Sequence, residues 1–458
     1  MTIEQIYTGC LAQGAYYIAN KGEAAIVDPL RSPAPYIKRA KEAGDRIKYI
    51  FETHFHADFV SGHLDLAQET GAEIIYGPGA KTDYDKHEAE DGEEFSVGDL
   101  TIKVLHTPGH TLESTTYLLL DKNGRPHAIF TGDTLFIGDV GRPDLAQKKG
   151  ALTTEDLAGL LYDSLRRKIM VLPDDVIVYP AHGAGSACGK KMSRETTDTL
   201  GNQKATNYAL RKNMTRSEFV AEVTEGLLPP PAYFSENVRM NKAGYDSFDK
   251  VMKRGAVALS PAKFEAVANR EMALILDVRS KEDFVNGFIP NSIFIGLDGS
   301  FAPWVGELIP DLQQPILLVT DAGREAETVE RLSRVGYDNA LGYLEGGLAA
   351  WEAYGGETDR ISTIRAEGFD PLQAPRILDV RKETEFESGH LRQSTNLPLA
   401  NLSQATSELD TDQEYYIHCG SGYRSTIAAS MLQSRGFHRI VNVQDKVADI
   451  LATESVDA

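Results

Sequence analysis

THFHADFVSGH, residues 53–63, follows the apolar run IKYIFE at 47–52 and places His54, His56 and Asp58 just beyond what reads as a β-strand. Side chains alternate along an extended segment, so His54 and His56 lie on one side of it. Further along, His110 in HTPGHT, Asp133 in FTGDTLF and His182 in PAHG each also follow a strand-like run. A lone histidine is more often a surface or core residue than a ligand. A set of histidines and aspartates at strand ends, which a β-sandwich gathers along one edge, reads instead as a metal site.

Composition sets the frame around that site. The chain has 458 residues, of which 42% are hydrophobic, enough for about three domains of roughly 150 residues each. Its 67 acidic and 47 basic residues give a net charge of -20. That balance argues against nucleic acid or a polybasic membrane patch as partner. The three cysteines, Cys10, Cys188 and Cys419, are far apart and form no CxxC pair, which argues against a disulfide framework or a structural zinc. The N-terminus MTIEQIYTG has no basic, apolar leader, and no apolar run approaches the ~18 residues of a membrane span. A cytoplasmic protein is expected, assembled as a homo-oligomer, with no nucleic-acid or membrane partner.

The last 200 residues or so repeat themselves. ILDVR occurs at Ile275–Arg279 and again at Ile377–Arg381. Both copies go on to a strand, a loop and a helix: ILLVTDAGREAETVERL from Ile316 and YYIHCGSGYRSTIAASML from Tyr415. Upstream of the repeat, GLLPPPAYFSENVRMNKAGY (226–245) carries three consecutive prolines, which cannot continue a helix. The expected division is a first domain over 1–230, a proline-rich linker over 231–254, and two related αβ domains over 255–360 and 361–458.

The first 230 residues resemble the metallo-β-lactamase superfamily, whose HxHxDH motif, two later histidines and bridging aspartate match His54, His56, Asp58, His110, His182 and Asp133. The sixth motif position is Phe59 rather than histidine. In two-zinc hydrolases such as glyoxalase II that histidine binds the second metal, and a phenyl ring has no donor atom. With GDVGRPDL at 138–145, the chain resembles the persulfide dioxygenase branch, which implies one Fe(II) per chain held by His54, His110 and Asp133. Two histidines and one carboxylate on one face leave three positions open for substrate sulfur and O2, and iron supplies redox chemistry that zinc does not. His56, Asp58 and His182 then orient ligands or substrate by hydrogen bonds. Arg142 either binds a substrate carboxylate or pairs with Asp144. Cys188, six residues after His182, is a small buried residue or a thiol that carries sulfur near the iron.

In the second αβ copy, Cys419-Gly420-Ser421-Gly422-Tyr423-Arg424 leads from a strand into a helix. Glycines let backbone N–H groups curl around an anion, and the helix N-terminus and Arg424 add positive potential. All three favour a thiolate at Cys419. This loop resembles that of the rhodanese sulfurtransferases. Cys-x5-Arg phosphatases share the design, but here Arg424 follows the cysteine by five places, which fits the shorter rhodanese loop. The C-terminal VNVQDKVADI lacks the EGGLAAW of the first copy at Glu345–Trp351, leaving that edge of the pocket undefined. In the first copy the corresponding loop, TDAGREAE, is shorter and has Asp321 where the cysteine is expected, so this copy reads as non-catalytic.

The implied fold class is multidomain α/β: a metallo-β-lactamase αββα sandwich followed by two rhodanese-like α/β domains. The implied activity is oxidation of a low-molecular-weight thiol persulfide by O2 to sulfite and thiol, with sulfur transfer through Cys419 yielding thiosulfate. Two rivals remain: a two-metal thioester hydrolase of the glyoxalase II kind, and a sulfur carrier or sensor built on Cys419. Fusion of the two chemistries in one chain is expected to raise the local concentration of sulfite around Cys419 where the two sites face each other.

Overall fold

A computed structural model describes residues 1–145 and 152–455, which form two compact units: Met1–Phe248 with Ser333–Gly336, and Asp249–Leu332 with Tyr337–Ala458. The first unit contains two six-stranded sheets. One runs in chain order through β1 (Thr2–Thr8), β2 (Gln13–Asn20), β3 (Glu23–Val27), β4 (Arg46–Glu52), β5 (Glu73–Tyr76) and β6 (His87–Glu88). The other comprises β7 (Glu94–Val97), β8 (Leu100–His106), β9 (Thr115–Leu120), β10 (Pro126–Gly132), β11 (Ile177–Pro180) and β12 (Asp198–Thr199).

The inner faces of the two sheets pack together. Tyr16, Val27, Phe51 and Ile75 from the first meet Val104, Tyr117, Leu119 and Phe130 from the second. Alternate residues of the same strands, such as Tyr17, Ile26 and Ile50, face outward and are covered by Tyr36, Ala40 and Leu66 of the helices Ala34–Ala43 and His63–Thr70. Helices Thr154–Ser164 and Arg216–Thr224 cover the second sheet through Leu161, Phe219 and Val223. This is the αββα layering. With both faces covered, β2 and β3 read as nearly unbroken apolar runs, whereas β7, EFSV, alternates between exposed and buried residues. Each large apolar side chain buried this way stabilises the fold by roughly 1.5–3 kcal/mol.

Strand direction gathers the polar loops. β8 and β10 are both antiparallel to β9, and β10 is parallel to β11. The C-terminal ends of β8, β10 and β11 therefore share one edge of the sheet. The loop after β4 joins them there through Thr115 N–H, which donates to Thr53 O at 2.8 Å. That edge receives His54, His110, Asp133 and His182.

The stretch 231–254, expected as an extended linker, is mostly helical: Phe234–Ala243 forms one helix and a second spans Phe248–Gly255. Pro229–Pro231 do stay out of helix, but their effect is local. Asn241 anchors the first helix, donating through Nδ2 to the carbonyls of His56 at 2.8 Å and Phe59 at 2.9 Å.

The second unit holds two five-stranded parallel sheets of identical topology. The first comprises β13 (Ala258–Leu259), β14 (Leu274–Asp277), β15 (Ile293–Phe294), β16 (Ile316–Val319) and β17 (Ala340–Leu344), in the order β13-β17-β16-β14-β15. The second comprises β18 (Ser362–Ile364), β19 (Ile377–Asp379), β20 (Ser394–Asn396), β21 (Tyr415–His418) and β22 (Ile440–Val443), in the order β18-β22-β21-β19-β20. The repeated ILDVR does the same work in each. Arg279 bonds Asp277 at 2.6 Å and the Gly287 carbonyl at 2.8 Å; Arg381 bonds Asp379 at 2.5 Å and the Gly389 carbonyl at 2.8 Å. Among the described residues no helix is long and apolar enough to cross a membrane.

Candidate functional site

At the shared edge, buried donor atoms of His54, His110 and Asp133 lie within 4.8 Å of one another. Nε2 of His110 is 3.4 Å and Nε2 of His54 3.9 Å from Asp133 Oδ2. The opposite ring nitrogens are engaged. His110 Nδ1 is 2.8 Å from the Arg142 carbonyl, which can only accept, so Nδ1 carries the proton and Nε2 keeps its lone pair. His54 Nδ1 is 3.0 Å from Thr53 Oγ1, whose own proton goes to Asp28 Oδ2 at 2.8 Å; the hydroxyl therefore accepts from His54. Burial, reinforced by His56, His110 and His182, pushes His54 well below the usual imidazole pKa, keeping it neutral. Both oxygens of Asp133 are buried without a hydrogen-bond partner. An orphaned buried carboxylate is costly, and a cation held between it and two imidazole lone pairs removes that cost. The residues fit a divalent metal.

The remaining members of the motif stand beside this cluster. His182 Nε2 lies 3.4 Å from Asp58 and 3.6 Å from Asp133. His56 Nε2 lies 3.1 Å from Asp28 and 3.5 Å from Glu52, and its ring stacks on Phe59 with centroids 4.2 Å apart. Burial opposes charge on His56, but the two carboxylates outweigh it and raise its pKa well above the ordinary histidine value. His56, Asp58 and His182 nonetheless also have donor atoms within 4.8 Å of one another.

In the second unit, Cys419 follows β21 and is buried. The Gly422 N–H points at its sulfur, 3.2 Å away, from the N-terminus of the helix Tyr423–Gln433. Arg424 forms a two-pronged pair with Glu385, at 2.6 and 2.8 Å, and holds that carboxyl down to about 2. The edge left undefined by the sequence is closed by the helix Val447–Ala452, whose first N–H donates to the Gly420 carbonyl at 3.0 Å. Strand register corrects the alignment of the repeats. Asp277 pairs with Val319 as Asp379 pairs with His418, so Thr320, not Asp321, stands where Cys419 does. The cysteine-free nature of the first copy is unchanged.

Residues 8–182 match the metallo-beta-lactamase superfamily, and 260–354 and 366–448 each match the rhodanese-like domain. A metallo-beta-lactamase of known structure from Staphylococcus aureus is 32% identical and superposes with a TM-score of 0.65, covering 75% of this chain and 98% of that one. The chain belongs to the metallo-β-lactamase superfamily. Among curated members of similar sequence, a mitochondrial persulfide dioxygenase of Homo sapiens is 34% identical over 162 residues, 35% of this chain and 59% of its own length. A hydroxyacylglutathione hydrolase of Tolumonas auensis is 36% identical over 171 residues, 36% of this chain and 60% of its own. The chain thus spans about three-fifths of these curated relatives, and they carry two different chemistries.

Within this metallo-β-lactamase domain Arg142 pairs with Asp144. Its guanidinium bonds Asp144 at 2.6 and 2.7 Å and also the carbonyls of Ala187 and Leu228. Cys188 is buried, with donor distances to Asp133 and His182 inside 4.8 Å. Burial, then Asp58 and Asp133, raise its thiol pKa well above the ordinary value. Sequence reasoning missed Asp28, Glu52 and Thr53, which hold His54 and His56 from behind. Asp28 sits just after β3 with a φ of 49°, unusual for a non-glycine residue, and this backbone conformation is not readable from the sequence. Thr53→Val keeps the shape but deletes the hydroxyl that fixes the His54 ring. Metal affinity is expected to fall ~10–100-fold in a chelator-competition titration, with sulfur transfer by the other unit intact; unchanged affinity would show that the hydroxyl does not orient His54.

Proposed function

We propose that the chain oxidises a low-molecular-weight thiol persulfide with O2 at a single Fe(II) held by His54, His110 and Asp133, and makes thiosulfate through Cys419. The domains that carry these roles are taken as 1–230 and 361–458, with 255–360 lacking the thiol. The observation that carries the reading is the division of labour among the imidazoles. His54 and His110 turn Nε2 toward an unpartnered Asp133, while His56 Nε2 lies 3.1 Å from Asp28 and 3.5 Å from Glu52 and Phe59 fills the remaining motif position.

Iron, when bound there, supplies the one-electron chemistry that lets O2 react with a closed-shell sulfur. The balanced change is RSSH + O2 + H2O giving RSH, sulfite and two protons; the terminal sulfur is oxidised and O2 is reduced. Asp58 and His182 face the reacting volume and hold or move the protons released, and Cys188 lines it. In the second unit the Cys419 thiolate attacks the outer sulfur of another persulfide, releasing RS⁻ and leaving a Cys419 persulfide. Sulfite then takes that sulfur, giving thiosulfate and regenerating the thiolate. Gly422 N–H steadies the charge on Cys419 sulfur, and Glu385 holds Arg424 at the rim. Gly420, Ser421 and Tyr423 complete the loop.

The second cluster, His56, Asp58 and His182, favours a rival: a two-metal thioester hydrolase. Oxygen-electrode traces of iron-loaded protein against a panel of thiol persulfides separate the two. Persulfide-dependent uptake with sulfite and thiosulfate as products is expected; thioester hydrolysis without oxygen uptake would overturn the proposal.

A further inference from the structure

The cysteine-free repeat places a cation at the mouth of the Cys419 loop. Gly422 has φ +89°, and the point where a side-chain carbon on it would sit lies 3.2 Å from Lys281 Nζ and 3.6 Å from Lys281 Cε. The same glycine donates its N–H to Cys419 sulfur at 3.2 Å. One loop residue therefore donates to the reacting sulfur and faces a lysine from the other repeat. A larger residue there would meet the ammonium as well as a strained backbone.

The placement is held by packing. Tyr423 hydroxyl donates to the Gly296 carbonyl at 2.7 Å, Phe294 N–H donates to Ser430 Oγ at 3.0 Å, and the Phe294 and Tyr423 rings meet edge to face. The repeat offset puts Glu383 of the second copy at the position of Lys281, so the charge at this position is reversed in the copy that carries Lys281. Arg424 is matched by Glu385. Lys281 is paired with the exposed Glu282 at 2.8 Å, a neighbour also under the field of Arg365. An ammonium has three donors, and an exposed ion pair holds its partner weakly. Asp298 and Arg331 bear on Tyr423 with opposite signs.

Resting on the reading of Cys419 as the sulfur carrier, we propose that Lys281 binds the anionic oxygens of the sulfur oxyanion, sulfite or thiosulfate, that reacts at Cys419. It is a positioning and specificity residue donated by the repeat that has no thiol of its own. In the transfer step a sulfite dianion approaches a negatively charged Cys419 persulfide; sulfite sulfur forms the new S–S bond, the Cys419 S–S bond breaks, and the electron pair stays on Cys419. An ammonium beside the loop offsets the repulsion between the two anions as they approach.

The test uses the full chain with thiosulfate as donor and cyanide as acceptor. Lys281→Ala is expected to raise KM for thiosulfate about tenfold, the range of one charge-assisted contact, with kcat and the KM for cyanide little changed. Lys281→Arg should restore most of it. A KM for thiosulfate that does not move, or one that Lys281→Arg fails to rescue, would overturn the role. A second measurement does not need sulfur transfer: sulfite titrated calorimetrically into Cys419→Ser protein, with and without Lys281→Ala. Sulfite binding that depends on Lys281 while wild-type Cys419 never loads would support the lysine and sink the Cys419 reading. Loading of Cys419 with no Lys281 dependence in either measurement would sink the lysine alone.

Discussion

Asp133→Ala is expected to abolish persulfide-dependent oxygen uptake, by more than the ~100-fold that losing an outer hydrogen-bond partner of a ligand costs, and to leave no iron bound after desalting. Asp133 is the carboxylate nearest His54 and His110, and alanine offers no donor atom. The variant should unfold no earlier than metal-free wild type, because both Asp133 oxygens are buried without partners and removing an unpaired buried charge relieves a cost; bound metal stabilises only the wild type. Sulfur transfer from thiosulfate to cyanide should persist, since Cys419 lies in a different compact unit. Loss of both activities in a folded Asp133→Ala protein would contradict the separation of the two chemistries.

Cys419→Ser should shift the product from thiosulfate to sulfite while oxygen uptake continues. Serine fits the loop and accepts the Gly422 N–H, but its hydroxyl is a far weaker nucleophile at neutral pH and forms no persulfide. Thr320→Ala, at the register-equivalent position of the first copy, and Asp321→Ala beside it should leave thiosulfate formation near the wild-type rate. Products are resolved by thiol-derivatising chromatography, with an enzyme-free control for the direct reaction of sulfite with persulfide. Thiosulfate made at the wild-type rate by Cys419→Ser would remove the last domain from the pathway. Its loss in Thr320→Ala or Asp321→Ala would give the first copy a role in turnover.

Much of this was legible because the chemistry sits at strand ends, where apolar runs give way to polar residues. His54, His110, Asp133 and His182 all follow strands in the sequence, and the αββα layering brings them to one edge. The ILDVR repeat was legible for a similar reason: Asp and Arg two residues apart close the same turn in both copies. What failed depended on long-range partners. Arg142 was ambiguous because two of its acceptors, the carbonyls of Ala187 and Leu228, are remote in sequence. The 231–254 segment reads as a linker from its prolines, yet the helix just after them is fixed by Asn241 bonding the backbone of the His56–Phe59 loop. Asp321 was aligned with Cys419 because the loops differ in length; only parallel pairing with β14 and β19 shows that Thr320 is the equivalent. The carboxylates behind the histidines, Asp28 and Glu52, carry no motif of their own and emerge only once β3 and β4 lie side by side.

One redox metal is distinguished from two hydrolytic ones by elemental analysis of protein purified from cells supplied with both iron and zinc, alongside His110→Ala. One iron per chain is expected, lost in His110→Ala. Two zinc ions per chain, retained in part by His56, Asp58 and His182 when His110 is removed, would contradict it.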